Sequence, residues 1–261
     1  MLELIKDKSL LEKFFRRNTL LNVYQLGDLD DFYWKETDFY GTFQNGELKS
    51  VVLVYKEALP DVVIALAGES EINLLKENLS ELLSYLPEKI YLHITPGAEK
   101  ILENKYELKH EGLYWKMNLS DKSKLFKVNT DDVEQLTVKD TEELADFYFE
   151  SYPSNSFNVR MLKTGMYYGL KKNGKIVSAA GIHVYSPNYK VAALGNITTH
   201  PAHCGKGYAQ KVTAKLCMEL FKNTEVIGLN VHSENSSAIH CYENLGFSKI
   251  ADYLEITGIC E

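Results

Sequence analysis

A mixed α/β (α+β) architecture built from two related domains is predicted by three features of this 261-residue chain. Its length suits two domains better than one. Two Asn-Gly hairpin signals, Asn45-Gly46 and Asn173-Gly174, each sit between apolar runs of strand character. The order of elements around these turns is alike in the two halves, which suggests a weak internal duplication. The expected division is 1–125 and 126–261, with the polar stretch Ser120 to Thr130 as the linker.

In the first half, apolar residues at helical spacing (Leu10, Leu11, Phe14, Phe15) predict helices between Ser9 and Gln25, and the pattern continues from Leu20 to Leu26 after a break near Asn18. A three-strand meander follows over Tyr40 to Gln44, Glu47 to Tyr55 and Asp61 to Ala67. A helix from Glu71 to Leu83 stops before Pro87, a buried strand runs Lys89 to Ile94, and a short helix opens at Pro96-Gly97 and ends near Asn104. Tyr106 to Leu119 reads as two strand pieces. The second half predicts a helix Thr141 to Ser151 and strands Met166 to Leu170, Lys175 to Tyr185 and Lys190 to Ile197. A helix Gly207 to Phe221, a strand Val226 to Val231, a helix Ser236 to Leu245 and a strand pair over Phe247 to Thr257 complete it.

Composition excludes several classes. Hydrophobic residues at 45% with no biased tract belong to a folded chain rather than a disordered one. A net charge of −7, with Lys and Arg scattered among carboxylates, argues against a nucleic-acid partner. No apolar run approaches the roughly 18 residues of a membrane span, and the amino terminus lacks a signal-peptide core. The four cysteines, Cys204, Cys217, Cys241 and Cys260, show no disulfide or zinc-ribbon spacing, so reduced thiols in the cytoplasm are expected.

The most informative stretch is Asn196-Ile-Thr-Thr-His-Pro-Ala-His-Cys-Gly-Lys-Gly-Tyr-Ala209, a strand that enters a glycine-bearing turn and then a helix. Gly205 and Gly207 admit close backbone approach, free N–H groups at a helix start receive phosphate oxygens, and Lys206 adds charge. Taken alone this is compatible with an ordinary strand-to-helix turn. It is neither a P-loop, lacking Ser or Thr after Lys206, nor a dinucleotide fingerprint, since Gln210 stands where a third glycine belongs. A second stretch supplies the context: Asn235-x-x-Ala238-x-x-x-Tyr242-x-x-x-Gly246-Phe247 opens with an N-cap, places Ala238 and Tyr242 on one helix face, and closes with a left-handed exit.

Together the two stretches resemble, in order and spacing, the acyl-CoA motifs of the GNAT superfamily of N-acyltransferases. The resemblance covers Val133 to about Thr257; the first half is similar only in its order of elements. The whole looks most like tandem members such as glycine N-acyltransferase-like proteins, in which a degenerate GNAT-like domain precedes a complete one. By that resemblance, Ile197, Thr198 and Thr199 pair with the pantetheine arm of acetyl-CoA, the default acyl donor. Cys204, Gly205, Lys206, Gly207, Tyr208 and Ala209 wrap the pyrophosphate, and Asn235 contacts the cofactor arm. Tyr242 is implied as the acid that protonates the leaving thiolate; without the motif it would read as a core-facing aromatic. The implied reaction is acetyl transfer to a primary amine of a small molecule or peptide, by direct attack in a ternary complex.

Two departures bear on this reading. Cys204 stands where the family usually carries Arg or Gln, which removes a side-chain contact but leaves the backbone amides. Asn230 stands where some members carry a carboxylate base, a role Asn cannot fill. His183, His200, His232 and Glu234 remain candidate bases. His200, His203 and Cys204 lack a fourth ligand at metal spacing, so no metal is expected, and nothing marks Cys204 as an acyl-accepting nucleophile. In the first half, Gly68-Glu-Ser-Glu puts carboxylates where a pyrophosphate would sit, so CoA binding is expected only in the second. The departures leave open a non-catalytic acyl-CoA-binding or regulatory module, or a scaffold that recruits a partner. A monomer is expected, because paired domains in one chain mimic the dimers of single-domain members.

Overall fold

The computed structural model describes residues 1–260. Leu2–Leu4 (β1), Thr37–Gln44 (β2) and Glu47–Tyr55 (β3) pair antiparallel. The β2–β3 turn is type I′, since Asn45 and Gly46 take φ of 53° and 76°. Asp61–Ala65 (β4) adds antiparallel to β3 and runs parallel to Lys89–Ile94 (β5). The predicted N-terminal helices are shorter and more broken than periodicity suggested. Lys8–Phe15 (α1) is capped by Asp7, three residues of 3-10 helix follow, and Val23–Gly27 (α2) and Asp31–Trp34 (α3) come after. Asp30 caps α3 by accepting from the Phe32 N–H, a start signal the sequence reading passed over. Ile72–Leu82 (α4) fills the crossover between β4 and β5 and buries Leu75, Leu79 and Leu82 against Val63, Ala65, Leu92 and Ile94.

Two expectations are corrected here. Residues 106–119 form one strand, Tyr106–Leu119 (β6), rather than two pieces; Gly112, at φ 144°, bends the strand without ending it. The closing strand pair is one long strand described below. The linker region is also less open than its polarity implied, since Lys122–Lys127 form 3-10 turns that bury Leu125 completely.

The second half opens with the short strand Val133–Gln135 (β7) and Thr141–Ser151 (α5). Tyr168–Lys172 (β8) and Lys175–Ser186 (β9) then form a second hairpin, with Asn173 and Gly174 at φ 51° and 78°. Val191–Thr199 (β10) leads to Tyr208–Leu220 (α6), Val226–His232 (β11), Ser236–Asn244 (α7) and Phe247–Cys260 (β12). α6 buries Val212, Ala214, Leu216, Cys217 and Leu220, the face that packs on β8, β9 and β10.

Two compact units result. One holds Met1–Lys116, His232–Glu234 and the chain from Ile250; the other holds Met117–Val231 and Asn235–Lys249. Strand order in the first is β1-β2-β3-β4-β5-β12-β6 and in the second β11-β10-β9-β8-β7.

Two buried positions generate stability predictions. Asp28, 4% exposed, has its carboxyl pushed up to about 8 by burial. Unfolded, an Asp ionises near about 4, so the unfolded state loses its proton first and stability falls as pH rises from there to about 8. Asp28→Asn is expected to raise the unfolding free energy at neutral pH by about 1–3 kcal/mol and to flatten its pH dependence in denaturant titrations. An equal pH slope in both proteins would contradict this. Gly246 sits at φ 98°, and its carbonyl accepts from the Ser120 and Asp121 amides at 3.0 Å; a Cβ there would lie 2.1 Å from the Asp121 oxygen. That neighbour is backbone and cannot swing aside. Gly246→Ala should therefore cost about 3 kcal/mol or more in thermal unfolding.

Candidate functional site

The predicted site residues lie in the second unit, along one path from β10 through the following turn into α6, and on the neighbouring α7. β10 is parallel to β11 from Val191↔Val226 to Leu194↔Leu229. Against β9 its register slips between Gly195 and Thr198, where one extra residue is inserted, and Asn196 takes φ 53°. Asn tolerates this left-handed conformation better than other non-glycine residues. Its side chain secures the bulge: Oδ1 accepts from the Ser156 amide at 3.0 Å and Nδ2 donates to the Tyr167 hydroxyl at 3.0 Å. The Asn196 carbonyl accepts from the Tyr148 hydroxyl at 2.7 Å. Beyond the bulge, Thr198 and Thr199 pair with Ala179 and Ser178 of β9, while the edge toward β11 leaves the ladder. Ile197, Thr198 and Thr199 therefore present backbone groups along a strand edge that β11 does not pair.

His200 ends the strand and caps the 3-10 turn Pro201–His203, its Nδ1 accepting from the Ala202 amide at 3.2 Å. Its Nε2 lies 3.7 Å from a Glu150 oxygen. His203, stacked on Tyr208 at 6.3 Å, is held below the ordinary imidazole value by burial and by Lys206 and His200 nearby, so it is neutral at pH 7. The exposed Cys204 thiol lies 3.7 Å from the carbonyl oxygens of Thr199 and His200. Gly205 and Gly207 both adopt left-handed φ, 75° and 73°, which is why glycine stands at each.

α6 begins at Tyr208 with Gly207 as its cap and no side-chain acceptor on the first-turn amides. Those N–H groups, Lys206 and the dipole of a 13-residue helix face the same turn. Lys172, which the sequence reading missed, also lies beside the turn, its ammonium 5.6 Å from the Tyr208 ring centre and 3.6 Å from an Asp132 carboxylate oxygen. Its position at the end of β8 gave no signal, because only the fold brings that hairpin end to the loop.

Asn235 caps α7, its Oδ1 accepting from the Ala238 amide at 3.1 Å. Tyr242 is buried, with its ring 6.0 Å from Phe247, and burial keeps the phenol protonated far above the ordinary tyrosine range. Among the candidate bases, His183 lies against Gly195 so closely that a Cβ there would meet its ring at 2.2 Å. His232 and Glu234 fold with the other unit, where the Glu234 amide donates to His232 Nδ1 at 3.2 Å. Asn230 is half-buried on β11, just past the last paired residue. Among the described residues, no group of three or more His, Cys, Asp or Glu side chains is placed to hold a metal ion, and no helix is long and apolar enough to cross a membrane.

The family model described as Acetyltransferase (GNAT) family matches residues 131–247, the span that contains the bulge, the glycine turn and α7. No match is found among curated protein sequences. Among solved structures, a Drosophila protein matches with a TM-score of 0.72 at 13% identity, over 99% of this chain and 98% of that one. A GNAT-family acetyltransferase from Colwellia psychrerythraea matches over 100% of both chains, with a TM-score of 0.59 at 14% identity. A tandem GNAT protein from the clavulanic acid biosynthesis pathway matches over 98% of both chains, with a TM-score of 0.56 at 11% identity. Residues 131–247 thus match the GNAT acetyltransferase family, and the chain over its whole length shares the fold of tandem GNAT structures.

Proposed function

We propose that this chain transfers the acetyl group of acetyl-CoA to a primary amine of a small molecule or peptide, by direct attack in a ternary complex. The family as a whole uses acyl-CoA to acylate amines. The observation that carries the reading is the departure of β10 from β11 at the Asn196 bulge, continued into a turn of left-handed glycines and an uncapped helix start. A thioester with a pantetheine arm needs backbone partners along an open strand edge, and a pyrophosphate needs amides at a helix terminus. The chain offers both in the required order. Ile197, Thr198 and Thr199 would hold the arm, and residues 204–209 with Lys172 would hold the pyrophosphate.

In the transfer, the amine nitrogen attacks the thioester carbonyl carbon and the carbon–sulfur bond breaks as the tetrahedral centre collapses. Strand amides near Thr199 stabilise the developing oxyanion. The Tyr242 hydroxyl, kept protonated by burial, gives its proton to the departing sulfur, and the attacking nitrogen releases its extra proton to solvent, from which the phenol is restored. Asn230 supplies no base, so the fraction of free amine limits the rate. A cytoplasmic monomer with reduced thiols is part of this reading; all four cysteines are free.

Three outcomes follow. Gly207→Glu places a carboxylate at the helix start and should weaken acetyl-CoA binding by about a hundredfold in calorimetry; Lys206→Glu, which keeps the glycine conformation, should weaken it by about tenfold. Undiminished binding in both would remove the assigned pyrophosphate site. Tyr242→Phe should lower kcat by about 10–100-fold while leaving the acetyl-CoA Kd within a factor of two or so. The kcat/KM for the amine should rise with unit slope in pH toward the amine's own pKa; a plateau near pH 7 would instead reveal a base on the protein.

A further inference from the structure

The first unit carries an unusual group of side chains on one face of its sheet. On β5, β12 and β6 the residues alternate as strands require. Ile90, Leu92, Ile94 and Ile256 face the apolar core under α4. The opposite face presents Tyr91 and His93, Tyr253 and Glu255, and Tyr114 and Lys116. Glu255 is the centre of this group. Its Oε1 accepts from the Tyr253 hydroxyl at 2.5 Å and lies 3.5 Å from His93 Nε2, while its Oε2 accepts from the Tyr91 hydroxyl. The rings form a continuous surround: Tyr91 to His93 at 5.7 Å, His93 to Tyr253 at 5.2 Å, Tyr253 to Tyr114 at 5.6 Å and Tyr114 to His232 at 4.9 Å.

Stability alone does not account for this arrangement. An apolar replacement of similar shape would hold the sheet at least as well as a carboxylate and a lysine taken out of water. The group is also within reach of solvent, since the His93 side chain is 16% exposed, that of Glu255 is 10% exposed, and Tyr91, Tyr114 and His232 are half-buried. A carboxylate offers about four lone-pair directions, of which the two phenols use two. Aromatic faces around a carboxylate suit an organic cation and reject an anion.

We infer that Glu255 and the rings of Tyr91, His93 and Tyr114, backed by the buried Tyr253, form a binding site for the ammonium group of a small organic amine. The site stands independently of the acyl-CoA reading, because every residue in it belongs to the first unit. Lys116 is the internal competitor for the same carboxylate. It is buried, with its ammonium 4.7 Å from the Tyr24 ring and 5.5 Å from the Tyr253 ring, and the charged and titratable groups around it are Tyr24 on α2, Tyr253 and Glu255 on β12, and His93 on β5. Burial lowers Lys116 to about 7 and holds His93 below the ordinary imidazole value. Above that pH Glu255 has lost its internal cation, so an external ammonium should bind more tightly as pH rises from 6 to 8.

The test is calorimetric titration of the full chain, without acyl-CoA, with n-butylammonium, tetramethylammonium, 1-butanol and butyrate. The two cations should bind saturably, the alcohol and the carboxylate should not, and the affinity should rise between pH 6 and 8. Glu255→Gln should weaken the cations by at least about tenfold. Tyr91→Phe, which keeps the ring and removes one phenol bond, is the companion variant should Glu255→Gln fail to fold; it should alter the affinity while retaining the preference for cations. Equal binding of butanol and butylammonium, unchanged affinity in a folded Glu255→Gln, or no saturable binding of either cation would overturn the site.

Discussion

The second unit's site depends on one backbone event, the left-handed residue in the middle of β10. A strand that stayed regular would pair with β11 along its whole length, and no backbone edge would be left for a ligand. Asn196 prevents this by inserting an extra residue against β9. The strained conformation costs free energy that the local sequence offsets with three hydrogen bonds, from Ser156, to Tyr167 and from Tyr148. Tyr148 comes from α5 and Ser156 from the segment after it, so the helix and loop beside the strand hold the strand open.

From that point the chemistry follows the chain. The strand exit, the His200-capped turn, the two left-handed glycines and the uncapped α6 are consecutive, so the geometry of one sets the next. Charge follows the same path: Lys206 within the turn adds to the helix dipole, and Lys172, paired with Asp132, stands beside Tyr208. The first unit, with glutamates at the matching helix start, has β4 and β5 in register along β4 from Asp61 to Ala65, with no bulge to part them. Its polar side chains are gathered instead on a sheet face around Glu255.

Much of this was legible in the sequence because the signals are local. Both Asn-Gly turns adopt the positive φ values their chemistry demands, and Asn235 and Gly246 act as cap and exit at the positions their spacing implied. What escaped was non-local or contrary to propensity. Asn196 lies in a run of strand formers, where an Asn looks like a tolerated exception rather than a hinge. Lys172 reaches the glycine turn only through the fold. The long β12 joins the first unit through pairs such as Leu254↔Ile94 and Ile256↔Leu92, a connection that no local pattern announces. Glu255, Tyr91 and His93 are likewise brought together by that pairing alone.

The central claim is that the β10 edge beyond the bulge and the first turn of α6 are the surfaces that receive acyl-CoA. Amide hydrogen exchange with and without acetyl-CoA tests it most directly. The account predicts that ligand slows exchange at Ile197–Thr199 and at Gly205–Gln210, with the β2–β3 hairpin unchanged. Protection confined to other strands, or none anywhere at saturating ligand, would contradict it.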